Sequence, residues 1–131
     1  MRKKLALLLL LMLGFTALMA QQNANTKHLS AADFKKAIDT KKYLIVDVRT
    51  LSEYADGHIA GAVNIDMSAP NFEDLMKKAT VKNKAVAMYC RSGRRSKAAL
   101  GYISSLKLQA VELNNGIVSW QQAGYTLING K

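Results

Sequence analysis

Short apolar runs recur along this chain at intervals that each admit one helix, and that alternation decides the fold class. The runs occupy 43–46 (Tyr-Leu-Ile-Val), 62–65, 85–89 and 110–113, bounded mostly by Lys, Gly, Asp or Asn. At four or five residues they are strand-length, and the continuous runs match strands buried on both faces. Helical spacing fills the gaps. Ser30 and Asp33 resemble a capping box ahead of Phe34, Ala37 and Ile38. Ser52 is placed to cap a short turn through Glu53 and Tyr54 that stops at Asp56 and Gly57. Pro70 and Asn71 precede Phe72, Leu75, Met76 and Ala79, while 96–106 turns Ala99, Leu100 and Ile103 inward. A last helix over 116–122 carries Trp120. Strands alternating with helices predict a parallel sheet covered on both faces, an α/β fold.

The N-terminus reads differently. Arg2, Lys3 and Lys4 precede an unbroken apolar run over 5–13, and smaller residues follow to Ala20. That three-part pattern predicts a secretory signal over 1–20, cleaved near Ala20. As an uncleaved anchor, the apolar stretch over 5–20 falls short of the ~20 residues that span a bilayer. Residues 21–27 then form a polar leader, and 28–131 make one domain, long enough for a single core. Loss of Arg2, Lys3 and Lys4 with the signal takes the formal charge from +10 to +7. The remaining basic residues are scattered without interleaved aromatics, which argues against a nucleic-acid surface. No membrane contact is expected after cleavage.

Cys90 is the single cysteine. Exported proteins gain most from cysteines in pairs, and a lone one is either buried and inert or kept for its reactivity. Position favours reactivity. The run over 85–89 delivers the chain straight into Cys90-Arg91-Ser92-Gly93-Arg94-Arg95, and a helix opens near Ser96. Ligand sites of parallel α/β folds lie beyond the carboxyl ends of the strands. Amides in so tight a loop form an anion-binding nest, the helix N-terminus adds positive potential, and three arginines ring it. Such surroundings favour a thiolate, which needs no histidine base.

This loop resembles the active-site loop of rhodanese-type sulfurtransferases, in which a catalytic Cys opens a six-residue loop. The likeness extends to Asp47-Val48-Arg49, Glu53-Tyr54 and Gly57-His58-Ile59-Ala60-Gly61-Ala62-Val63-Asn64-Ile65, and to Asn115-Gly116 with Trp120 and Gly124. It implies a three-layer α/β/α fold with a five-stranded parallel sheet, and Cys90 as carrier of a persulfide sulfur. Ala60, Asn115 and Thr126 depart from the family's frequent Pro, Gly and Pro. Asn accepts a left-handed backbone better than most residues, so the 115–116 turn is expected to survive.

The expected reaction moves sulfur from an anionic donor such as thiosulfate to cyanide or a thiol, without cofactor or metal. Arg91, Ser92, Gly93, Arg94, Arg95 and Ser96 would bind the donor. Asp47, Arg49 and Glu53 would support the site, with an Arg49–Glu53 ion pair as buttress at helical spacing. His58 reads as scaffold, and His28 has no partner in view. A non-catalytic binding module stays open as an alternative, as does a cysteine phosphatase or arsenate reductase. The phosphatase pattern needs one more residue than the four between Cys90 and Arg95. A thiol oxidoreductase would call for a second, resolving cysteine. Oligomeric state is open, with a monomer preferred.

Overall fold

The computed structural model describes residues 25–131. The expected export signal and residues 21–24 of the leader lie outside the described residues. Five strands form one parallel sheet: β1 (Thr26–Leu29), β2 (Leu44–Asp47), β3 (Val63–Asn64), β4 (Ala85–Tyr89) and β5 (Gln109–Leu113). Their order is β1-β5-β4-β2-β3. The helices are α1 (Ala31–Asp39), α2 (Leu51–Asp56), α3 (Phe72–Ala79), α4 (Arg94–Tyr102) and α5 (Gly116–Gln122).

The strand order explains the layers. The chain moves across the sheet one way from β1 to β3 and returns through β4 to β5. Right-handed crossovers put the helices of the two journeys on opposite faces. One face packs Phe72 and Met76 of α3 and Ala99 of α4 against Val46, Val86 and Met88. The other packs Phe34 and Ile38 of α1 and Ile117 and Trp120 of α5 against Ala87, Tyr89 and Val111. Central β4 is therefore buried on both sides, which is why its sequence is apolar throughout. Edge strand β3 is only two residues long.

Three local readings need correction. β1 begins inside the stretch assigned to the leader: Thr26 and Lys27 already pair with Ala110 and Val111. It is an edge strand with two exposed central residues, so its sequence carries no apolar run. Helix α2 is capped by Thr50, not Ser52. Thr50 Oγ1 accepts from the Glu53 amide while the Glu53 carboxylate reaches back to the Thr50 amide, a full capping box. Helix α4 starts at Arg94, two residues before the position expected. It ends at Tyr102, and a 3-10 turn over Ser104–Leu106 completes the segment, closed by left-handed Lys107.

Candidate active site

The alternation of β4 sets the thiol. Val86, Met88 and Cys90 point to the α3–α4 layer, so the strand leaves Cys90 beneath the N-terminus of α4. The side chain is almost wholly buried, with the residue 1% exposed. Gly93, at φ +97, turns the chain from strand to helix in a region disfavoured for L-residues. Its amide donates to Cys90 Sγ at 3.1 Å. Ser96 Oγ lies 3.5 Å from the same sulfur. An amide donor and the positive end of α4 thus face it, and each stabilises negative charge, while the Ser96 hydroxyl accepts from the thiol.

A second loop braces the first. Asn115 (φ +59) and Gly116 (φ +60) both adopt the left-handed region expected of the turn. That brings the amides of Ile117 and Val118 onto the carbonyls of Cys90 and Arg91, at 2.9 and 3.1 Å. A Cβ on Gly116 would collide with the carbonyls of Cys90 and Arg91, so the approach is possible for glycine alone.

The ion pairs differ from those expected. Arg49 does not pair with Glu53. Its Nη2 lies 2.7 Å from Asp47 Oδ2, its Nε bridges both Asp47 oxygens, and Nη2 also donates to the Gly57 carbonyl at 2.6 Å. Burial works against the Arg49 charge, and the adjacent Asp47 carboxylate overrides it and holds the guanidinium protonated. Glu53 is taken by Arg95 in a bidentate pair of 2.7 and 2.8 Å. The hydrogen bond from Arg95 is the main reason that the Glu53 carboxyl is lowered to about 2. The helical spacing of Arg49 and Glu53 misled because Arg49 lies before α2 and turns back onto its own strand. Arg95, expected on the substrate, ties α2 to the loop. Arg91 and Ser92 are exposed on the loop, and Arg94 is exposed at the first position of α4. A cavity of about 300 Å³ beside it is lined by Arg49, Glu53, Arg91, Ile117, Val118 and Leu127, among others.

His58 is scaffold. Its Nδ1 donates to the Tyr54 carbonyl at 2.8 Å, its ring stacks on Tyr54, and its backbone pairs with Ile128. Burial pushes the Tyr89 phenol up, and its oxygen accepts from the Ile59 amide.

Sequence reasoning missed Glu112 and left His28 without a partner. Glu112, on β5, is fully buried. Its Oε2 accepts from Ser96 Oγ at 2.9 Å, and Oε1 lies 2.9 Å from His28 Nδ1. A carboxylate in the middle of Ala110-Val111-Glu112-Leu113 was the available signal, since a buried charge needs partners.

A buried thiol at the carboxyl end of a central parallel strand, under a helix N-terminus, is the centre of the candidate site on this α/β sheet. The chain belongs to the rhodanese-like domain family: residues 30–123 match the family model described as Rhodanese-like domain. A protein named sulfurtransferase from Allochromatium vinosum is 30% identical over 95 residues, covering 72% of this chain and 86% of the relative. A tRNA uridine(34) hydroxylase from Cytophaga hutchinsonii is 32% identical over 99 residues, and the match spans 72% of this chain but only 31% of that protein. A crystal structure of a rhodanese-related protein from Thermoplasma volcanium superposes with a TM-score of 0.65 at 32% identity. It covers 79% of this chain and 99% of that one.

Proposed function

We propose that this chain is a sulfurtransferase that carries a sulfane sulfur on Cys90, with thiosulfate as a competent donor and cyanide or a thiol as acceptor. The observation that carries the reading is the Gly93 amide, 3.1 Å from Cys90 Sγ, at the start of α4. The Cys90 thiolate attacks the outer sulfur of thiosulfate. The sulfur–sulfur bond of the donor breaks, sulfite leaves with its electron pair, and Cys90 is left as a persulfide anion. The loop amides and α4 bear that charge, as they bore the thiolate's. Exposed Arg91 and Arg94 draw the dianionic donor to the loop. Cyanide or a thiolate then attacks the outer sulfur, forming thiocyanate or a new persulfide and returning the Cys90 thiolate. No proton is required in either step.

The test uses the full chain and Cys90→Ser. After thiosulfate, intact mass is expected to show one added sulfur on the wild type, and cyanide is expected to release it as thiocyanate. Both signals vanish in the variant. An unmodified wild-type mass with no thiocyanate overturns the thiosulfate reaction and favours a binding module or phosphatase chemistry. The reading extends to export, supported by Arg2-Lys3-Lys4 and the apolar run after them. Fractionation of cells expressing the tagged chain is expected to recover it outside the cytoplasm, in shortened form. Full-length cytoplasmic protein would reject export.

A further inference from the structure

Buried Glu112 has no part in the transfer steps above, yet it lies directly beneath the loop that carries them. Its Oε2 is one van der Waals contact, 3.8 Å, from where a Cβ on Gly93 would stand. Three links run outward from the nucleophile: Cys90 Sγ to Ser96 Oγ at 3.5 Å, Ser96 Oγ to Glu112 Oε2 at 2.9 Å, and Glu112 Oε1 to His28 Nδ1 at 2.9 Å. Ser96 and Glu112 are fully buried, whereas the His28 side chain on edge strand β1 is 48% exposed. The chain therefore joins a buried thiol to an imidazole in contact with solvent. His28 lines a groove of about 1010 Å³ along α4 and β1, which shares no lining residue with the cavity beside Arg91.

Ser96 has one hydroxyl proton and three acceptors around it. The Gly93 carbonyl, at 3.1 Å, already receives the Lys97 amide. The contest is between Glu112 and the Cys90 sulfur, and a charged carboxylate at 2.9 Å wins it against a neutral thiol. Ionised Cys90 needs that same proton. How firmly Glu112 holds it depends on whether His28 is neutral or an imidazolium, because an imidazolium takes up the carboxylate's charge.

We propose that His28 and Glu112 are positioning residues that set the reactivity of Cys90 through Ser96. Protonated His28 neutralises Glu112, releases the Ser96 hydroxyl to the sulfur, and removes an uncompensated negative charge from beneath the thiolate. Neutral His28 leaves Glu112 charged and the hydroxyl turned away. The reactivity of the sulfur carrier is in this way linked to the state of the groove at the far edge of the sheet. Other charges near the path are engaged or peripheral. Arg95 of α4 is held by Glu53 of α2, Arg49 by Asp47 of β2, and Lys97 of α4 lies at the groove within 3.4 Å of Asn114 Oδ1. Arg91 on the loop and Arg94 at the first position of α4 are exposed.

The proposal rests on Cys90 acting as a nucleophile, so its test reads thiol reactivity directly and does not depend on sulfur transfer. The full chain, His28→Gln and Glu112→Gln are alkylated with iodoacetamide from pH 5.5 to 9, and adduct is followed by intact mass. Glutamine at 28 keeps a hydrogen bond to Glu112 but cannot titrate. At pH 6 the wild type is expected to react about threefold or more faster than His28→Gln, since glutamine cannot take on the positive charge that an imidazole can. The two are expected to converge above about pH 8.5. Glu112→Gln should exceed the wild type at high pH and show no further response when His28 is also replaced. Superimposable profiles for wild type and His28→Gln overturn the proposal. That result leaves a positive thiocyanate assay intact, while a negative assay with the expected profiles rejects the proposed donor and spares the coupling. His28 is half-exposed on an edge strand, so its variant decides the question even if Glu112→Gln does not fold.

Discussion

Gly116 shows how much of this site hangs on single residues. Its left-handed backbone and missing Cβ let the Ile117 and Val118 amides reach the Cys90 and Arg91 carbonyls. Gly116→Ala should cost at least about 2 kcal/mol, from forced backbone strain plus the collision. Gly101 is the control. It sits near the end of α4 with nothing within 4 Å of a built Cβ, so Gly101→Ala should stabilise by about 0.5 kcal/mol. Urea midpoints moving in opposite directions are the expected result, and equal shifts would refute the argument from space. At this scale Cys90, Gly93 and Asn115 were legible, because a lone cysteine at a strand end and a turn residue with left-handed tolerance declare themselves. The Ser96–Glu112–His28 chain was not. Its members stand 84 and 16 residues apart in sequence, and only strand register brings them together.

Helix α2 buries no residue fully. It is held by the Thr50 capping box, by half-buried Tyr54, whose hydroxyl donates to the Ala62 carbonyl at 2.7 Å, and by the Glu53–Arg95 pair, which links it to α4. Thr50-Leu51-Ser52-Glu53 carried the capping-box spacing in plain sight, and the reading that put the cap at Ser52 passed over it. The partner of Glu53 was beyond local pattern, since Arg95 lies 42 residues away. Because Arg95 lowers the Glu53 carboxyl from 4.5 to about 2, the pair stabilises the fold fully above about pH 4.5. That contribution fades as pH falls through about 2. Side chains about a third exposed are screened, so Glu53→Gln should cost no more than about 1 kcal/mol at pH 7. Denaturation of wild type and variant across pH 7 to 2 should show the gap closing as acid is added. A gap that persists undiminished at pH 2 would mean that packing, not charge, ties α2 to the loop.

The molecule as a whole is a parallel sheet whose central strands were written in apolar residues and whose edge was not. β4 and its neighbours could be read directly, while β1, with Lys27 and His28 exposed, is defined only by its pairing to β5. The family likeness supplied the fifth strand that residue patterning left out. Charge also belongs to this scale. Apart from Arg2, Lys3 and Lys4, the chain carries a formal excess of +7, and Arg91 and Arg94 focus part of it at the Cys90 loop. A dianionic donor approaching that loop is steered by a field that salt screens, with a Debye length of about 30 Å at 0.01 M and about 3 Å at 1 M. Sulfur loading of Cys90 from thiosulfate should therefore slow by about tenfold across that range. Alkylation by uncharged iodoacetamide should barely change, because the thiol itself is unaltered. If both reactions fall together, salt is acting on Cys90 or on the fold. If neither falls, the arginines of the loop are not what brings the donor in.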